Sequence, residues 1–177
     1  TKAEKSAFLS LMIKIRRAEE KDIPFIVEII QEAKDYFAQN GIPQWQTRGY
    51  PDASDVREDI ENHGAYVAVD EDTICGYCFI CAMKDPNYDY IEGEWLNDLP
   101  YVVMHRTCIR SGYKGKGIAG MFVETAEQMG NNLRADTHEK NRSMRKMLEN
   151  NGFTPCGTIY VEDGTPRVAY QKVKERN

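Results

Sequence analysis

Apolar positions along the chain change period several times, and each change marks an element. Ile23, Ile26, Val27, Ile29, Ile30 and Ala33 recur at the spacing of one helical face, with Asp22 as a cap, Pro24 in the first turn and Asn40-Gly41 as the stop. Ile13 to Arg16, just before this helix, reads as a strand. Ile42 to Asp52, with Trp45 and Tyr50-Pro51, reads as a polar and aromatic loop, after which Ser54 or Asp55 opens a short charged helix ending at His63-Gly64. Ala65 to Val69 and Ile74 to Met83 are strand-like and flank Asp70, Glu71 and Asp72, the pattern of an antiparallel hairpin. Lys84 to Leu99 holds Pro86, Asn87, Gly93, Asn97 and Asp98, which predicts a long loop of the kind that often carries function.

Tyr101 to Ile109 has strand character, and Gly117 to Met129 is amphipathic with Ile118, Met121, Phe122, Thr125 and Met129 on one face. Leu133 to Thr137 predicts a strand and Asn141 to Asn150 a helix stopped by Asn151-Gly152. Thr158 to Val161 and Arg167 to Val173 then close a hairpin across Glu162, Asp163 and Gly164.

At 177 residues, with 41% hydrophobic and 29% charged, the chain is expected to fold as one domain over residues 12–177, with residues 1–11 an extension or cloning remnant. The net charge of -5 argues against a nucleic-acid partner, since phosphate neutralisation needs a basic surface. No apolar run approaches the roughly 20 residues that cross a bilayer, so no membrane partner and a cytoplasmic location are expected. Cys75, Cys78 and Cys81 fall in a predicted strand, where Cys78 points away from the other two, so no metal site is expected and the thiols read as reduced.

The most informative segment is Ile109-Arg110-Ser111-Gly112-Tyr113-Lys114-Gly115-Lys116-Gly117-Ile118-Ala119-Gly120, where a strand runs into a helix through a glycine-bearing loop. Its chemistry is anion binding: glycines allow tight turning and close approach, and the helix N-terminus offers N–H groups and a favourable dipole. It is not a Walker loop, because Gly115-Lys116 is not followed by Ser or Thr. It resembles the acetyl-CoA signature of the GNAT acetyltransferase superfamily, with Lys114, Gly117 and Ala119 at the signature positions, Lys replacing the usual Arg or Gln. The element order from Ile13 to Val173 and the Asn141 to Phe153 segment, an Asn-led helix ending in Gly-Phe, are similar to that family as well.

The resemblance implies a mixed α/β fold (α+β), with a mostly antiparallel central sheet flanked by helices and a V-shaped splay between the fourth and fifth strands, those ending at Ile109 and spanning Leu133 to Thr137. It implies acetyl-CoA as cosubstrate, held by the backbone of Ile109 and Arg110, by Lys114, Gly115, Lys116, Gly117, Ile118 and Ala119 around the pyrophosphate, and by Asn141 beside the pantetheine arm. Asn141 also reads as a helix cap. The implied activity is transfer of an acetyl group to a primary amine of a small molecule. Another acyl donor or a non-catalytic sensor remains an alternative, and a homodimer is in keeping with the family.

For the chemistry, the family's usual proton-donating tyrosine falls at Leu148, which cannot donate, leaving Tyr160 or Tyr113 as candidates. His105 stands four residues before Ile109, so strand alternation puts His105, Thr107 and Ile109 on one face, and histidine changes charge near neutrality as a base must. A lone strand histidine is also commonly structural. His138 is a second candidate, and Glu92 and Glu94 flank Gly93 in the long loop, where either suits an ammonium group. Trp45, Tyr50, Tyr88, Tyr90 and Trp95 concentrate in two loops and suit either an aromatic acceptor pocket or loop packing.

Overall fold

The computed structural model describes residues 1–5, 12–47 and 49–175, so the apolar start of the chain at residues 6–11 lies outside the described residues. Among the described residues eight strands form a mostly antiparallel sheet flanked by helices, the mixed fold class expected. The chain divides into two compact units, residues 1–79 with 106–122 and residues 80–105 with 123–177. No described helix is long and apolar enough to cross a membrane.

The first unit contains β1 (Ile13–Arg17), α1 (Ile23–Gln39), α2 (Ala53–Glu61), β2 (Ala65–Asp70) and most of β3 (Thr73–Ala82). It adds the end of β5 (Val102–Ile109) and the start of α3 (Ile118–Glu127). β1 pairs antiparallel with β2 and β2 with β3, whose next neighbour is β5. Ile26, Ile29 and Ile30 of α1 meet Val56, Val67, Tyr77 and Cys108 in a buried core. Burying each such aliphatic side chain contributes about 1.5–3 kcal/mol. α2 begins at Ala53 because Asp52 is its cap, accepting from the N–H groups of Ser54 (2.8 Å) and Asp55 (3.2 Å), while the Asp55 carboxylate accepts from Asp52 N–H at 2.8 Å. Such a reciprocal cap stabilises by about 1 kcal/mol.

Asp22 stands at the N-cap of α1 as expected, but its side chain makes no capping bond to the helix. Its carboxylate turns to Arg16, at 2.7 and 3.0 Å, and to Glu19 N–H at 2.8 Å. Burial raises its proton affinity, but Arg16 and the amide outweigh that and hold the carboxyl below its ordinary range.

The second unit holds the start of β5, β6 (Asn132–Thr137), α4 (Arg142–Asn150), β7 (Thr154–Tyr160) and β8 (Pro166–Val173). A two-residue strand, β4 (Glu92–Gly93), lies inside the predicted loop and pairs with β7, too short for any periodicity to reveal. Strand order here is β5-β6-β8-β7-β4. β6 pairs with β8 along all its residues but with β5 only at Val102↔Leu133 and Val103↔Arg134, in parallel.

β7 starts at Thr154 rather than Thr158, because Pro155 and the irregular register at Gly157 break the alternation a strand is recognised by. Gly157 has φ 146°, and a Cβ there would lie 2.1 Å from Glu92 O, so the approach of β4 depends on it. The expected face of α3 is offset: Ile118, Phe122, Val123 and Ala126 are buried, while Met129 lies beyond the helix end and is exposed.

Candidate functional site

In the first unit the end of β5 leads through the glycine loop into α3. Gly112, Gly115 and Gly117 have φ of 90°, 75° and 82°, and a Cβ at any of them would meet nothing within 4 Å. The glycines are therefore required by backbone conformation and not by protein packing, which leaves the space beside them open. Gly117 C=O accepts from Met121 N–H at 3.2 Å and opens the helix, so the first-turn N–H groups after it have no carbonyl one turn earlier in the helix. Ile118, 2% exposed, pins that turn into the core. Positive-φ glycines beside a helix N-terminus fit a phosphate-bearing ligand.

The charges around this cradle depart from expectation. Lys114 places its ammonium 4.7 Å from the ring centre of Tyr36, and the Arg110 guanidinium bonds Ile74 O at 2.8 Å and pairs with Glu28 and Glu32. Arg110 N–H donates to Cys75 O at 2.8 Å and its carbonyl accepts from Tyr113 N–H at 3.0 Å. The backbone role expected of Arg110 toward pantetheine is thus taken up within the protein. Tyr113 donates to Asp70 Oδ2 at 2.8 Å, a bond that raises its pKa.

In the second unit His105 sits between two carboxylates. Its Nε2 is 2.8 Å from Asp85 Oδ2 and its Nδ1 is 3.9 Å from Asp136 Oδ2. Asp85 is fixed by the loop that carries it: Oδ1 accepts from Asn87 N–H (2.9 Å), opening a one-turn helix at Pro86–Tyr88, and its own N–H donates to the Tyr101 hydroxyl (2.9 Å). Tyr88, wholly buried, donates to Asp136 Oδ2 at 2.6 Å and packs 5.9 Å from the imidazole. Burial first, and then the Asp136 charge, drive the Tyr88 pKa well up, so it stays a proton donor. The alternation argument for His105 fails for a local reason. Arg106 has φ 53°, a left-handed residue inside β5, so counting by twos from His105 to Ile109 no longer tells which way each side chain points.

Arg106 and Asp59 went unnoticed in the sequence. Its guanidinium forms an ion pair with the buried Asp59, with Nε 2.9 Å from Oδ2, and Nη1 donates to the Tyr50 hydroxyl at 2.9 Å. Tyr77 donates to the same carboxylate. Burial raises the Tyr50 pKa despite Arg106. Trp45 packs edge-on to Phe37 at 5.4 Å.

The remaining candidates are dispersed over the second unit. Glu92 and Tyr160 come together, the hydroxyl donating at 3.0 Å, which raises the tyrosine pKa. Glu94 is exposed, its N–H bonded to Cys156 O at 3.1 Å. Trp95 donates its indole N–H to Tyr88 O at 3.0 Å and, with Tyr101, sandwiches the Arg134 guanidinium at 4.0 and 4.1 Å, which makes it loop packing rather than an open wall. Arg134 Nε is buried without a hydrogen-bond partner among the described residues, a cost of about 1–3 kcal/mol that the two ring faces offset in part. His138 Nδ1 accepts from Lys140 N–H at 3.1 Å, and burial followed by the Arg167 charge lowers its pKa. Asn141 caps α4, accepting from Met144 N–H at 3.2 Å. Leu148 is buried. Asp85 and Asp136 were not among the candidates read from the sequence.

A strand, an open glycine loop and a helix N-terminus in one unit, and a mostly antiparallel sheet with one short parallel ladder, define an α/β protein. A model of the acetyltransferase (GNAT) family matches residues 26–153, and the chain belongs to that family. It is similar to an acetyltransferase of the GNAT family from Streptococcus agalactiae at 36% identity, over 93% of this chain and 96% of that one, with TM-score 0.86. A GNAT acetyltransferase from Listeria monocytogenes shares 20% identity over 91% and 94% of the two chains, with TM-score 0.68. The yncA protein of Salmonella typhimurium, whose structure contains its cofactor acetyl-CoA, shares the fold at 16% identity and TM-score 0.64, over 94% and 96%. Among curated proteins none matches.

Proposed function

We propose that the protein is an acetyl-CoA-dependent N-acetyltransferase that acetylates a primary amine on a small molecule. The observation that carries this reading is the cradle of Gly112, Gly115 and Gly117, whose positive φ values and open Cβ directions leave backbone free for a phosphate-bearing ligand. Membership of the family and the acetyl-CoA in the yncA structure support the choice of ligand. Bound acetyl-CoA supplies an acetyl group activated as a thioester. The N–H groups from Gly115 to Ala119 hold the pyrophosphate, Ile109 offers its backbone to the pantetheine arm, and Asn141 lies along that arm while capping α4. Lys116 supplies positive charge nearby, and Lys114 does so once it leaves the Tyr36 ring.

His105 is the proposed base, because the paired carboxylates stabilise the imidazolium it becomes. Tyr50, Trp45, Glu92 and Glu94 are the proposed acceptor contacts. Tyr160, already bonded to Glu92, is the proposed donor to the leaving group. A sensor that binds without turnover is favoured by one observation, the buried Leu148 at the family's tyrosine position. Thiol release from acetyl-CoA, measured with spermidine, tyramine, lysine and an alanyl peptide, separates the two. Saturable release with any of them supports the enzyme, and tight binding without release in all four supports the sensor.

A further inference from the structure

The long segment before β5 does more than cover the sheet. Asp85 opens it, and among its contacts are Asn87 N–H on Oδ1, the Tyr101 hydroxyl on the residue's own N–H, and His105 Nε2 on Oδ2 at 2.8 Å. A carboxylate can only accept, so the hydrogen in the contact with His105 belongs to the ring. On the opposite edge of the ring, Asp136 Oδ2 lies 3.9 Å from Nδ1 and already accepts from Tyr88 at 2.6 Å. The two carboxylates are therefore unequal partners. One makes a hydrogen bond to the imidazole, and the other offers charge at longer range.

We infer that Asp85 is a positioning residue that fixes His105 as the Nε2–H tautomer and so makes Nδ1 the nitrogen that takes the proton from the acceptor amine. The inference rests on the proposed role of His105 as base. In the step it describes, an N–H bond of the acceptor's ammonium breaks and its electron pair stays on nitrogen. The proton forms an N–H bond at Nδ1, and water later removes it. The imidazolium formed meanwhile has Asp85 on one edge and Asp136 on the other, so charge develops where two carboxylates already stand. Asp136, kept in place by Tyr88, stabilises the charged ring but does not choose the tautomer.

Asp85→Asn tests this with little disturbance, because the amide oxygen can still accept from Asn87 N–H while its NH2 group can now donate to Nε2. The ring nitrogens of His105 are read by 15N-resolved NMR on the full chain without any ligand. The wild-type protein should show the Nε2–H tautomer, Asp85→Asn a shift toward Nδ1–H, and Asp136→Asn no change. Turnover with whichever of the four amines is accepted should fall at least about tenfold in kcat for Asp85→Asn, with the KM for acetyl-CoA unchanged. A wild-type Nδ1–H tautomer, a tautomer that responds to Asp136→Asn and not to Asp85→Asn, or an Asp85→Asn enzyme with wild-type kcat would overturn the inference. Failure of the underlying base assignment looks different. In that case His105→Gln turns over at the wild-type rate, whatever tautomer the spectra show.

Discussion

Gly117 offers the sharpest separation of fold from function. Its φ is 82° and a Cβ there would meet nothing within 4 Å, so Gly117→Ala costs only the left-handed backbone, about 1–2 kcal/mol. For a chain of this size that is a fall in Tm of about 2–8 °C. Gly164, in the β7–β8 turn, has nearly the same backbone, φ 80°, and equally open surroundings, so Gly164→Ala should cost about as much stability. The two differ in that only Gly117 belongs to the proposed binding loop. If the loop holds the pyrophosphate, a methyl group at 117 intrudes on the ligand and a carboxylate there opposes its charge. Calorimetry should therefore show acetyl-CoA affinity intact in Gly164→Ala, weakened in Gly117→Ala and abolished in Gly117→Glu, each variant shown folded by its melting curve. Unchanged affinity in folded Gly117→Glu would remove the cradle from the binding site. Equal loss in Gly164→Ala would show that the assay reports stability alone.

Other outcomes follow from buried and shifted groups. Arg106→Met strands the Asp59 carboxylate beside Tyr77 and should cost about 3–5 kcal/mol in urea unfolding, with Tyr50 released from its guanidinium partner; a loss under 1 kcal/mol would refute the pairing. His138 binds its proton more weakly when folded, through burial first and then Arg167 and Lys140, with Glu139 opposing. Its contribution to stability is therefore complete above about pH 6.5 and is lost as pH falls from there through the lower folded value. His138→Gln should flatten the wild-type fall in urea midpoint over that range, and an unchanged slope would count against the shift. Burial pushes Cys75 up to about 11 and Cys78 to about 12, so both thiols should react with a disulfide reagent at pH 8 only after unfolding.

What the sequence made legible is what local chemistry dictates. The period of Ile23 to Ala33 marks α1, the stop at Asn151-Gly152 ends α4, and the glycines at 112, 115 and 117 occupy positive-φ positions because no other residue adopts them cheaply. The residues missed are those whose role comes from a partner distant in the chain. Asp85 lies 20 residues from His105 and Arg106 lies 47 from Asp59, and in neither case does spacing announce the pair. The same limit applies to the count along β5. A period of two assumes every residue is extended, and the left-handed Arg106, with its guanidinium bonded to Asp59 and Tyr50, resets the alternation between His105 and Thr107. A strand with one such residue presents neighbouring side chains on one face, which periodicity cannot foresee. The candidate base is therefore better supported by the carboxylates around it than by the spacing that first drew attention to it.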